Sequence, residues 1–153
     1  MNSKKKGLKG LDDNTREKLV AEAFRKKEEA YVPYSHFHVG AAVLTDEDKM
    51  VGGFNIENAS YGATNCGERT AIFTALNHGA KRMKAIAIVG DAKEYTYPCG
   101  ICRQVMAEFM DPDSEIILAK DHEEYKVFKL NELLPGAFTK DDLESGNKGE
   151  NDV

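Results

Sequence analysis

A chain of 153 residues, 41% hydrophobic and 31% charged, has the size and balance of one soluble globular domain and is too apolar to stay disordered. A net charge of −5 with no dense basic patch beyond the first residues argues against nucleic acid as a partner, and no apolar run approaches a membrane span. The lysines at 4, 5, 6 and 9 are not followed by the apolar stretch of a signal peptide, and three cysteines make an odd number for a disulfide framework, so the cytoplasm is the expected compartment.

Residues 1–12 read as a polar, lysine-rich tail on a single domain that spans 1–153. Asn14-Thr15-Arg16-Glu17 has the form of a capping box, and after it Leu19, Val20, Ala23, Phe24, Ala30 and Tyr31 fall on one helical face that Pro33 should end. Residues 39–45 make a short apolar run that fits a strand. A turn at Asp46-Glu47-Asp48-Lys49 leads to a second strand at 50–56, whose Gly52-Gly53 pair suggests a bulge or a close backbone approach. The loop 57–65 feeds a second helix that Gly79 should terminate.

Residues 85–89 are continuously apolar, as in a strand covered on both faces. A third helix opens at Pro98-Cys99-Gly100-Ile101-Cys102 and should stop near Pro112. Strands at 115–119 and 125–130 are joined by too few residues for a parallel crossover, so they should pair antiparallel. The stretch 140–153 is polar and contains glycine, and reads as a C-terminal tail. This order predicts an α/β fold, a three-layer α/β/α sandwich around a five-stranded mixed sheet.

The cysteines stand at helix starts, Cys66 before the second helix and Cys99 and Cys102 before the third. Asn65 and Glu68 can be read blandly, as an N-cap and its capping-box partner. The alternative is that Cys66 binds a metal and Glu68 moves protons beside it. C-x-x-C places two thiols about one helical turn apart, and two helices lying side by side on one sheet face would bring Cys66 to the same point. Three protein ligands with the fourth position left to water is the pattern of a catalytic zinc. A thioredoxin-like redox pair needs no third cysteine, a zinc ribbon needs a second C-x-x-C, and three inert core thiols would not all fall at helix starts.

Cys66-Gly67-Glu68 followed by Pro98-Cys99-Gly100-Ile101-Cys102 resembles the signature of the zinc-dependent cytidine and deoxycytidylate deaminases, in the three-cysteine form of the small homotetrameric cytidine deaminases. Tyr34 to Ala42, Asn55 to Tyr61 and Leu133 to Phe138 resemble the family's first-strand, ribose-binding and C-terminal motifs, in the same order. The resemblance implies one Zn²⁺ per subunit on Cys66, Cys99 and Cys102, with Glu68 as the proton shuttle and Arg69 donating to the sulfurs. It also implies Asn55 and Glu57 at the ribose and the Gly67 backbone at the base. Phe37 would pack on the pyrimidine together with Phe138 from a neighbouring subunit, and Ala59 and Tyr61 would complete a neighbour's site. Arg103 and Gln104 are weaker candidates for supporting the metal ligands.

The implied activity is hydrolysis of cytidine and 2′-deoxycytidine to uridine and 2′-deoxyuridine plus ammonia in pyrimidine salvage, by a homotetramer with no nucleic-acid or membrane partner. The alternatives are a deaminase of a modified cytosine nucleoside or antibiotic, and a zinc-stabilised binding module without catalysis. Departures from the family pattern are Gly67 where Ala is usual, His38 where Pro is more usual, and the lysine-bearing N-terminus.

Overall fold

The computed structural model describes residues 10–151, with side chains described over 10–146. The first helix, α1 (Asp13–Lys27), starts from Asp12, whose carboxylate accepts the Thr15 backbone N–H at 2.7 Å. The cap therefore lies two residues before the box expected at Asn14, because Asp12 already has the extended backbone and the acceptor that an N-cap needs. Leu19, Val20 and Ala23 form its fully buried stripe.

The helix ends six residues short of Pro33. Tyr31 is drawn instead into an extended pairing, donating its N–H to the Asn55 carbonyl and accepting from the Glu57 N–H. Ala30 and Tyr31 thus lie beyond the helical face assigned to them, and Tyr31 is exposed. Of the N-terminal tail, residues 1–9 lie outside the described residues, while the Leu11 N–H is held by the Glu115 carboxylate at 2.8 Å.

The strands β1 (Val39–Thr45), β2 (Met50–Phe54), β3 (Met83–Gly90), β4 (Glu115–Ala119) and β5 (Tyr125–Lys129) form one sheet in the order β2-β1-β3-β4-β5. The β3–β4 pair is parallel and the other neighbours are antiparallel, which is the mixed sheet expected. Period-two alternation sends Ala42, Leu44, Ala85, Ala87, Val89 and Ile117 toward α1. Ala41, Val43, Ile86, Ile88, Ile116 and Leu118 point to the opposite face. There they meet α2 (Gly67–Asn77), α3 (Gly100–Phe109) and the one-turn α4 (Leu130–Leu133). These are the three layers.

β1 and β2 keep continuous register through Gly52 and Gly53, so the glycine pair is a close approach and not a bulge. A Cβ on Gly53 would overlap the backbone N and Cα of Ala71, so α2 rests directly on the strand. Gly79 ends α2 in the left-handed region, with φ +99°. The stretch read as a polar C-terminal tail carries a helix, α5 (Lys140–Asn151), whose residues 141–146 are exposed. No helix among the described residues is long and apolar enough to cross a membrane.

Candidate metal centre

Cys66 and Cys99 are the N-caps of α2 and α3, both with extended backbone, and neither side chain caps its own helix. Their sulfurs turn toward each other at 3.8 Å, and Cys102, buried one turn into α3, brings the third sulfur within 4.8 Å of both. Two sulfurs on a tetrahedral zinc, each at about 2.3 Å, stand about 3.8 Å apart, so the Cys66–Cys99 spacing fits the ion without rearrangement. Among the described residues this is the one such group of His, Cys, Asp or Glu side chains.

The capping box expected at Asn65 is not formed. Asn65 lies one residue before the cap, where its backbone exchanges both hydrogen bonds with Ile56 and its amide donates to Thr70 Oγ1 at 3.0 Å. Leaving the N-cap to cysteine frees the helix start for a different anion. Each helix N-terminus offers roughly half a positive charge, so two of them aimed at the sulfurs offset part of the thiolate charge. Arg69 adds a full positive charge beside them, its Nη2 donating to Cys66 Sγ at 3.3 Å.

The thiols of Cys66 and Cys102 titrate together. Cys66 is pulled down to about 5, first by its hydrogen bond with Cys102 and then, against burial, by Arg69. Cys102 is pushed up by the Cys66 thiolate and by burial. Cys66 holds the charge and Cys102 keeps the proton, and a bound divalent cation would favour deprotonation of both. Glu68, 4% exposed beside them, has its carboxyl raised to about 7, chiefly by burial and further by the Cys66 charge. A carboxyl poised there can both accept and return a proton near neutral pH.

The wall next to this centre is the irregular strap that precedes β1. Asn55 grips it with both amide atoms: Nδ2 donates to the Phe37 carbonyl and Oδ1 accepts the Val39 N–H, each at 2.9 Å. Glu57 Oε1 accepts the backbone N–H groups of Tyr34 and Ser35 at 3.0 and 3.1 Å. Both residues lie just past the end of β2 and not within it. Gly67 packs under the strap, where a Cβ would stand 3.3 Å from the Val39 carbonyl oxygen and 3.4 Å from the Asn55 N.

Arg103 and Gln104 do not reach the sulfurs. Arg103 donates to the carbonyls of Pro98 and Leu133, and Gln104 to that of Phe138, so both fasten the C-terminal segment to α3. Ala59, Tyr61 and Phe138 are exposed on this chain, away from any role in its own core. The grip on the strap went unread in the sequence, because contacts to backbone N–H and carbonyl groups leave no signature in the residues that are held.

The cytidine and deoxycytidylate deaminase zinc-binding region, as a family model, matches residues 13–118, which include all three cysteines and Glu68. The chain belongs to this family. It is 49% identical over 128 residues to the cytidine deaminase of Halalkalibacterium halodurans, covering 84% of this chain and 97% of that one. It is 46% identical to the cytidine deaminase of Sporosarcina psychrophila, over 83% of this chain and 93% of the relative. The crystal structure of cytidine deaminase from Burkholderia pseudomallei superposes with a TM-score of 0.76 at 43% identity, covering 84% of this chain and all of that one. The fold read from the sequence is thus the deaminase fold, and zinc is the metal that the three-cysteine cluster suits.

Proposed function

We propose that this deaminase hydrolyses cytidine and 2′-deoxycytidine to uridine and 2′-deoxyuridine with release of ammonia, serving pyrimidine salvage in the cytoplasm. The observation that carries the reading is a buried carboxyl, Glu68, set two residues from a thiolate of a zinc-sized cysteine cluster at two helix N-termini. Zinc, when bound by Cys66, Cys99 and Cys102, lowers the pKa of water from ~15.7 to about 7 and so supplies the nucleophile for C4 of the ring.

Glu68 takes the proton of the attacking water and delivers it to N3 of the cytosine. It then takes the remaining proton from the new C4 hydroxyl and hands it to the 4-amino nitrogen, so that the C4 carbonyl forms as the C–N bond breaks and ammonia departs. Arg69 holds the sulfur charge in check from the side. Asn55 and Glu57 receive the sugar hydroxyls: Asn55 Nδ2 has one further hydrogen to donate and Oδ1 can accept one further bond, while the strap occupies Oε1 of Glu57. Phe37 lies along the base and the Gly67 backbone approaches its edge.

The active form is a homotetramer in which Phe138, Ala59 and Tyr61 complete a neighbour's pocket, a reading supported by their exposure on the single chain. The catalytic domain spans 1–153, with residues 1–12 and 140–153 as appendages to it. Relatives named cytidine deaminase at up to 49% identity favour the plain nucleoside over a modified one or an antibiotic, and an intact Glu68 favours catalysis over a binding module.

The Glu68→Gln variant tests the assignment. It should fold, keep its zinc by metal analysis, and lose about 10²–10⁴-fold in the rate of ammonia release from cytidine, the usual contribution of one positioned acid–base group. Turnover near that of the wild type would reject the role. Wild-type turnover of the 5′-monophosphate alone would reject the nucleoside.

A further inference from the structure

Residues 36–39 leave the preceding turn through His36, a non-glycine residue in the left-handed region with φ +59°. No helix or strand holds them before Val39, yet the Val39 carbonyl and the Asn55 N stand against Gly67 at the start of α2, between Cys66 and Glu68, and the Phe37 carbonyl accepts from the Asn55 amide. Asn55 fixes one side of this strap. The other side is fixed by a side chain that lies outside the metal centre.

Asp91 follows β3 directly, opposite the start of β1, where Val39 is paired with Gly90. Its Oδ2 accepts the His38 backbone N–H at 2.7 Å and lies 2.9 Å from His38 Nδ1, while Oδ1 pairs with Lys27 Nζ at 2.9 Å. Lys27 is the last residue of α1, so its ammonium stands where a helix C-terminus favours a cation. One carboxylate thereby joins the end of α1, the end of β3 and the strap. Partial burial works to raise the Asp91 pKa, but the His38 N–H and then Lys27 outweigh it and hold the group at about 2, charged throughout the working range.

We propose that Asp91 is a positioning residue for substrate binding: by clamping His38 it sets the backbone of Phe37 and Val39, and through it the Phe37 ring and the Asn55 amide beside the zinc centre. The inference rests on the deaminase reading above. Asp91 touches neither the cysteines nor Glu68 in any hydrogen bond, so its loss acts on the nucleoside's seat and not on the proton transfer. A truncated side chain frees the strap to sample other conformations, and the substrate must then order it on binding. That raises KM while leaving the bound complex as reactive as before.

The test is steady-state kinetics with cytidine, alongside zinc content and thermal melting, for Asp91→Ala and Asp91→Asn. The alanine variant should raise KM by about tenfold with kcat within about twofold of wild type and zinc per chain unchanged. The asparagine variant keeps an acceptor for the His38 N–H but loses the Lys27 pair, so its KM should fall between the two. Asp48→Asn, which breaks a comparable surface pair with Lys84, should leave both parameters at wild-type values. If the alanine variant does not fold, Asp91→Asn decides alone: a raised KM at unchanged kcat supports the clamp, and a wild-type KM overturns it. A variant that loses kcat and zinc together, with KM unmoved, also overturns it. Failure of the deaminase reading is distinguished by the wild-type chain, which would then show no turnover at all, and the inference would fall with it.

Discussion

Gly67 sits in the first turn of α2 between a metal ligand and a buried acid, where a glycine weakens the helix relative to alanine by up to about 1 kcal/mol. What opposes alanine is space: the new Cβ would stand 3.3 Å from both Val39 Cγ1 and the Val39 carbonyl, and 3.4 Å from the Asn55 N. The methyl of Val39 can give by a few tenths of an ångström, and the backbone distances are tight but short of overlap. The helix term should win. Gly67→Ala is therefore expected to raise the melting temperature by about 2 °C at unchanged kcat, corresponding to about 0.5 kcal/mol for a domain of this size. A fall in melting temperature would show that the strap above α2 cannot yield. At this scale the cysteine cluster was legible, because metal ligation dictates residue type and spacing, as in Cys66 with Cys99-x-x-Cys102. Asp91 and the second function of Asn55 were not, since each acts on backbone atoms that every residue shares.

The elements carry the site through their close contacts. α2 brings both Cys66 and Glu68, and its height above the sheet is set by Gly53 of β2, which lets the Ala71 backbone descend onto the strand. Gly53→Ala forces the helix outward, since the atoms in the way are backbone and cannot rotate aside. A loss of about 1–3 kcal/mol of stability is expected from such overpacking, measurable by denaturant unfolding. Lifting α2 also moves Cys66 away from Cys99 and Cys102, so zinc should be released at a lower chelator concentration than from the wild type. An unchanged chelator profile in a destabilised variant would separate the helix seat from the metal site. The strands, the mixed pairing and the stop at Gly79 could be read from apolar runs and turn residues. The ends of α1 could not: Asp12 captures the N-cap ahead of Asn14, and Tyr31 is claimed by the 55–57 segment, so tertiary pairing and not Pro33 decides where the helix stops.

On the scale of the whole molecule, the single chain leaves large aromatic groups exposed. Tyr61 is 79% exposed and Phe138 58%, although Gln104 takes hold of the Phe138 carbonyl and so keeps that segment in a defined place. An exposed ring on a backbone held in position suits a site on another copy. Sharing of this kind has a consequence that contact surfaces alone do not. If Glu68 acts within its own subunit and Phe138 in a neighbour's, then Glu68→Gln and Phe138→Ala chains each make defective tetramers, but a mixture does not. A Phe138→Ala subunit keeps its own Glu68 and can borrow an intact Phe138 from a Glu68→Gln neighbour. Random assembly at equal amounts should restore about a quarter of the sites to the wild-type pair of residues. Activity should therefore reappear when the two variants are unfolded together and refolded, and not when they are refolded apart and then mixed without exchange. Recovery no greater than the average of the separate variants would place Phe138 in its own subunit's site or in none.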